Sequence, residues 1–479
     1  MLHPIESIES RGSRRFGQSA GVKQLLLASA IIMAIGLGTL TSQTVAAQTP
    51  ASEQAPAFDA PKEANAVLDA MDTGDFAGVH ARFNTTMAAK VSAEQLAQLW
   101  KTLPTQVGPL KTRGVARVTE RDGYTVVNIP LRYEKAELET IFAFDGDHRI
   151  GGFLIRPAAP VAAASPAPPV PADANYRELE VSVGDQATGL PATLSMPNGK
   201  GPFPAVVLVH GSGPHDRDET VGPNRPFLDI ACGLAARGIA VLRYEKRTKA
   251  HPEAFADGVT VDLETTDDAV AAVALLRAQT GIDPKRVFVL GHSQGGMMAP
   301  RIGARDPKIA GLILLAAPSR PLLDILIEQN RRMAILNDGK TSDAENTAIQ
   351  QLVESVAAVR SGREITAAQA PMGLAPAYWR SIDTVDAVAE ARAIAQPMLI
   401  LQGARDIQVV DADWQGWRDA FHDSPRATFK LYEALNHLAI AGEGEGSLEE
   451  YQTPGQVAPE LIADVAAWIA AQPAEKKKK

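Results

Sequence analysis

RVFVLGHSQGG, residues 286–296, is a strand-like run that breaks into three glycines around one serine. Gly291, Ser293 and Gly295 have the spacing G-x-S-x-G. In a nucleophile elbow the serine sits on a very tight strand-to-helix turn, so the residues two before and two after it must be small. Arg286 to Leu290 is rich in β-formers, and 296–304 has a helix-compatible composition interrupted only by Pro300. The strand–turn–helix context that gives the motif its meaning is therefore present. A glycine-rich turn with a passenger serine would look the same locally, so the rest of the chain must supply the serine's partners.

A serine hydroxyl is a poor nucleophile until a base takes its proton, and that base needs a carboxylate to fix its tautomer. In this architecture the chain order is Ser, then Asp or Glu, then His. Only His422 and His437 follow Ser293. His422 stands in RDAFHDSP at the end of a helical pattern, a surface-like setting, whereas His437 follows the strand-like ATFKLYEAL. His437 is the expected base. Asp406 follows the apolar run MLILQG and a glycine turn and is the expected acid; Asp411 and Asp413 read as helix-start residues. An oxyanion needs two backbone N–H donors. Gln294, directly after the serine, is one. The loop HGSGPH, 210–215, supplies the other, with Ser212 preferred to Gly213. His210 and His292 flank glycine turns and are expected to orient loops. The acidic HDRDE, 215–219, lacks convergent histidines, so no metal is expected. With no P-loop, dinucleotide fingerprint or zinc spacing, no cofactor is expected either.

The alternation around the serine sets the architecture. From residue 176, RELEVSVG and LPATLSMP read as an opening hairpin. Continuous apolar strands then alternate with amphipathic helices, which indicates a parallel sheet covered on both faces. We expect an α/β-hydrolase fold over 175–473. Residues 320–392 break the alternation, are mostly helical, and are expected to cap the sheet's carboxyl edge, where open α/β sheets bind ligands. Tyr378 and Trp379 in this insertion are candidate pocket-lining residues. Residues 58–156 read as helices followed by three strand-like stretches with a turn at DGDHR, a small α+β domain. The alanine- and proline-rich segment 157–174 is a linker.

The 479 residues carry a net charge of −9, with no basic footprint for nucleic acid. Arginines precede the apolar run 25–40, which is short for a bilayer span of about 20 residues. TVAAQ follows with small residues at Val45 and Ala47. Residues 1–47 thus read as a signal peptide cut near Ala47–Gln48, which implies export to the periplasm or beyond and no stable membrane insertion after cleavage. The pair Arg14–Arg15 hints at twin-arginine export, but Phe16 directly after it fits poorly. Cys232 is the single cysteine, so a disulfide within the chain is impossible.

HGSGPHDRDETVGPNRPFLDIACGLAARGIAVLRYEKRT, AYWRSIDTVDA, PMLILQGARDIQV and LNHL together resemble the secreted bacterial EstD-type esterases of the α/β-hydrolase superfamily. The resemblance covers 176–471 and implies that Ser293, Asp406 and His437 are the catalytic triad. The segment before the linker resembles, more weakly, a domain of unknown function with a nuclear-transport-factor-like shape. LNHLAIAG departs from the family in having Ala439 where an aromatic residue is common, a change expected to reshape the acyl pocket. The expected activity is that of a serine carboxylesterase acting on small-molecule acyl esters through an acyl-enzyme. A serine peptidase or amidase of the prolyl-aminopeptidase-like type is the alternative. A vestigial, non-catalytic binding protein is the third reading, against which the intact set of three residues argues.

Overall fold

A computed structural model describes residues 58–157 and 170–473, apart from residues 90, 122–123, 135, 172, 186–187 and 252–258. The expected signal peptide, most of the linker and the terminal lysines lie outside the described residues. The chain divides into two compact units, one ending at Ala159 and the other carrying the residues that follow.

In the first unit, helix Ala60–Thr73 buries Ala64, Val67, Leu68 and Met71, the i, i+3, i+4, i+7 stripe of an amphipathic helix. Asp59 caps its start and Gly74, at φ 84°, ends it. Helix Ala93–Val107 opens with a capping box between Ser92 and Gln95. Five antiparallel strands follow: β1 (Leu110–Arg113), β2 (Arg117–Arg121), β3 (Tyr124–Tyr133), β4 (Glu137–Phe144) and β5 (Ile150–Pro157). The order is β1-β3-β4-β5, and β2 also pairs with β3. Along β3 the buried residues Val127, Ile129 and Leu131 alternate, as a half-buried strand requires. The stretch that reads as one strand in sequence, 112–121, is two. Gly114 lies so close to the ring of Pro130 that a side chain there would have to displace it. Gly114 still donates its N–H to the Pro130 carbonyl at 2.7 Å, and pairing resumes at Arg117 opposite Asn128, so one extra residue bulges out between them.

The second unit holds an eight-stranded sheet: β6 (Tyr176–Val183), β7 (Leu190–Pro197), β8 (Phe203–Val209), β9 (Ala240–Tyr244), β10 (Ile282–His292), β11 (Leu312–Leu315), β12 (Met398–Gly403) and β13 (Ala427–Tyr432). The order is β13-β12-β11-β10-β8-β9-β7-β6. The hairpin β6–β7 is antiparallel and pairs antiparallel with β9. Every other neighbour pair is parallel. Each central strand feeds both faces. Val207, Val289, Leu314 and Ile400 pack with helices Asp267–Ala278, Gln294–Arg305 and Asp411–Phe421. Val206, Leu208, Phe288, Leu290, Ile313 and Leu401 pack with helices Pro226–Ala235 and Pro459–Ala471. This two-sided burial is why the strands read as unbroken apolar runs. The architecture is the expected α/β-hydrolase fold.

Between β11 and β12 stand helices Leu322–Asp338, Asp343–Arg360, Pro376–Asp383 and Ala387–Ala393. Val356, Val359, Trp379 and Ile382 of this insertion join the core. Among the described residues no helix is long and apolar enough to cross a membrane.

Candidate active site

Ser293 separates β10 from helix Gln294–Arg305 and has φ 52° and ψ −120°. A non-glycine residue at positive φ stores of order 1–3 kcal/mol and persists only where its surroundings over-determine it. Here they do. Its N–H donates to the Leu315 carbonyl, 2.9 Å away. A side chain at Gly291 would strike the Gly295 carbonyl, one at Gly295 the Val209 carbonyl, and one at Gly296 the methyl of Ala317. The three glycines are thus required by close backbone approach on three sides.

Asp406 and His437 come together on the loops after β12 and β13. His437 Nδ1 donates to Asp406 Oδ2 across 2.7 Å, and both residues are buried. The other carboxylate oxygen accepts the N–H groups of Gln408 at 2.8 Å and Val409 at 2.9 Å, and Gln402 Nε2 adds a bond to Oδ2 at 3.2 Å. The acid is therefore fixed before it meets the imidazole. With Nδ1 committed to Asp406, Nε2 is the basic nitrogen. The rivals are engaged elsewhere. Asp413 is buried against Arg320, with Nη2 at 2.7 Å. His422 is exposed and pairs with Asp423.

His292, adjacent to Ser293, ties the elbow to His437. Its Nε2 donates to the His437 carbonyl at 2.9 Å, and its Nδ1 lies 2.9 Å from Glu219 Oε2. Burial favours neutral His292, but the Glu219 carboxylate overcomes it and raises the imidazole's pKa. Burial likewise opposes ionisation of Glu219, yet His292, His215 and His210 outweigh it and lower its pKa to about 2. Glu219 Oε1 also accepts the Gly211 N–H at 2.6 Å. His210 donates to the Asp216 carbonyl at 3.0 Å and is held neutral by burial, its pKa lowered to about 3.

The expected oxyanion donors are Gln294 and Ser212. Gln294 is the first residue of its helix, where the backbone N–H has no intrahelical acceptor. Ser212 is exposed on the loop after β8, one residue beyond Gly211, whose missing Cβ would fall 3.2 Å from the Ser293 Cβ. The Gly211 carbonyl accepts from Lys246 Nζ at 2.7 Å. Lys246 in turn pairs with Glu264 at 3.1 Å. Glu264 Oε2 accepts from Gln294 Nε2 at 3.1 Å and from the Tyr378 hydroxyl at 3.0 Å.

Tyr378 and Trp379 are turned into the protein. The Tyr378 hydroxyl belongs to this buried network, and Trp379 Nε1 donates to the Pro371 carbonyl at 2.8 Å. Ala439 is buried with Leu435, Val457 and Leu461 in the core. HDRDE is consumed internally. Asp216 accepts the N–H of Thr220, Arg217 pairs with Glu180 and Glu245, and Asp218 pairs with Arg243. Among the described residues no cluster of His, Cys, Asp or Glu could hold a metal ion. Glu219 reads in sequence only as part of the acidic HDRDE, and Lys246 and Glu264 escape the sequence reading because nothing local in LRYEKRT or VDLETT separates a charge that will be buried from a solvated one.

Residues 201–444 match the family described as "Serine aminopeptidase, S33", and residues 64–153 match a protein family of unknown function, DUF3887. Esterase EstD of Thermotoga maritima is 32% identical over 417 residues, 86% of this chain and 95% of the relative. Two solved structures overlap the chain in outline. Est1E from Butyrivibrio proteoclasticus is 18% identical at TM-score 0.41, covering 61% of this chain and 98% of that one. An esterase of Pyrococcus furiosus is 16% identical at TM-score 0.41, covering 64% and 97%. The match to EstD and the S33 family decide the class: the chain belongs to the EstD-like esterases of the α/β-hydrolase superfamily.

Proposed function

We propose that the enzyme is a serine carboxylesterase that hydrolyses small acyl esters through Ser293, His437 and Asp406. The observation that carries this reading is the buried Asp406–His437 pair, tied through His292 to the strained elbow that bears Ser293. In the first half-reaction, Ser293 Oγ attacks the ester carbonyl carbon while His437 Nε2 takes the hydroxyl proton. The oxyanion forms against the N–H groups of Gln294 and Ser212. It collapses with cleavage of the C–O bond, and His437 returns the proton to the departing alcohol. Water then attacks the acyl-enzyme with the same proton transfers, releasing the acid and regenerating Ser293.

The S33 description favours a second reading, a serine peptidase or amidase. That chemistry needs groups that clamp a peptide terminus near the site. Of the HDRDE carboxylates, Asp216 accepts backbone N–H groups, Asp218 pairs with Arg243 and Glu219 faces His292. The test compares kcat/KM on p-nitrophenyl esters with that on matched aminoacyl and prolyl anilides. Short-chain esters are expected to be cleaved at least 10²-fold faster; equal values would favour the peptidase.

We also propose export with cleavage near Ala47–Gln48, supported by the arginine-flanked apolar run and the small residues that follow it. The helices-then-meander order of the first unit supports a nuclear-transport-factor-like domain. N-terminal sequencing of the exported enzyme tests the cleavage; a full-length chain in the membrane fraction would refute it.

A further inference from the structure

Two charged side chains are sealed beside the site without touching Asp406 or His437. Lys246 is 2% exposed and Glu264 is 4% exposed. A buried ion pair is weak grounds for stability, because desolvation of the two charges offsets their attraction and apolar residues of the same volume often do as well. The pair's hydrogen bonds suggest what it supplies. Lys246 Nζ holds the Gly211 carbonyl. That carbonyl and the Ser212 N–H belong to one peptide unit. In a trans peptide they point in opposite directions, so a grip on one aims the other. Glu264 holds the side chain of Gln294 and the Tyr378 hydroxyl on its second oxygen. Gln294 carries the other donor on its backbone. A single buried pair is therefore bonded to the carbonyl of the peptide that carries the Ser212 N–H and to the side chain of Gln294.

We infer that Lys246 and Glu264 are positioning residues for the oxyanion donors. Lys246 fixes the Gly211–Ser212 peptide plane, and Glu264 fixes Lys246 and Gln294 relative to one another. Glu219 completes the clamp by accepting the Gly211 N–H, so both peptide planes that meet at Gly211 are anchored. The charge on Lys246 also polarises the peptide it binds, and in a chain of hydrogen bonds this strengthens the donor at the far end. No proton moves through the pair and neither residue meets the substrate. Tyr378 enters this account as the cap's contact with Glu264, so the insertion contributes to the rigidity of the site. The inference rests on the reading of Ser212 and Gln294 as the oxyanion donors.

The test is the double substitution K246M/E264Q, which removes both charges at nearly constant volume. Four quantities are read: kcat and KM on p-nitrophenyl acetate, the affinity of a trifluoromethyl ketone, melting temperature, and Ser293 labelling by a fluorophosphonate. Removing one oxyanion donor outright costs about 10²–10³-fold in kcat. Loosening donors that are still present is expected to cost about 10–10²-fold. KM should stay within about threefold, and affinity for the ketone should fall in parallel with kcat. A merely structural role would lower the melting temperature and leave kcat of the folded enzyme intact. Wild-type kcat and ketone affinity in a folded variant overturn the proposal. If the double variant does not fold, Y378F is read in the same way. It keeps the ring and frees Glu264 from the cap, so a several-fold loss of kcat at constant KM supports the inference and an unchanged kcat overturns it. Wild-type enzyme that fails to label at Ser293 would instead remove the underlying functional reading.

Discussion

At the scale of single residues, the site is organised by what Ser293 cannot avoid. Its backbone is held at positive φ by a bond to Leu315 and by three glycines packed against carbonyls and a methyl. Strain of that kind costs the fold. Ser293→Gly should therefore abolish ester hydrolysis while melting at or above the wild-type temperature, since glycine adopts this conformation without a steric penalty. A calorimetric scan checks it, and a melting point several degrees lower would show that the turn is not strained. The spacing of Gly291, Ser293 and Gly295 is legible because a turn this tight admits so few residues. The order Ser293, Asp406, His437 is legible because strands deliver residues to one edge in sequence. Glu219, Lys246 and Glu264 are not legible, because nothing local distinguishes a charge that will be buried from one that will be solvated.

At the scale of elements, the loop after β8 and the strand end at His292 form a buried cluster of histidines around one glutamate. His210, with a pKa lowered to about 3 by burial, stays neutral in the folded protein at pH values where an unfolded histidine near 6.5 is protonated. Between those values the unfolded state binds the extra proton, so stability rises with pH, by about 1.4 kcal/mol per pH unit for one proton. That contribution is complete above about pH 6.5 and is lost as the pH falls towards 3. His292 acts in the opposite sense. Burial opposes its charged form, but Glu219 raises its pKa, so its contribution is full below 6.5 and is lost as the pH rises through the folded value. Denaturation midpoints from pH 4 to 7 should show a positive slope that is shallower in H210Q. An unchanged slope in that variant would place the acid sensitivity elsewhere. Among the elements, the parallel strands are legible because burial on both faces makes them continuously apolar. The split of 112–121 into β1 and β2 is not, since it lies in the register against β3, where one extra residue is accommodated between Gly114 and Arg117. The inward turn of Tyr378 and Trp379 is hidden because it depends on Glu264 and Pro371, distant in sequence or on another element.

At the scale of the whole molecule, each of the two units has its own core, and every residue assigned a chemical role lies in the second. A fragment beginning near residue 175 should fold and retain wild-type turnover on a small activated ester, as a steady-state assay would show. A folded fragment with turnover reduced tenfold or more would mean that the first unit takes part in the reaction. The division itself is legible in the alanine- and proline-rich segment 157–174, whereas the strand order of the large sheet is not, because β8 takes β9 and β10 as neighbours on opposite sides. The most direct test of the central claim is fluorophosphonate labelling followed by peptide mapping, with Ser293→Ala as the control. The account predicts one label per chain, on the peptide containing Ser293. It also predicts that S293A does not label, melts normally, and loses roughly 10³-fold or more in ester hydrolysis. A label on another residue, or wild-type ester turnover in pure S293A, would contradict it.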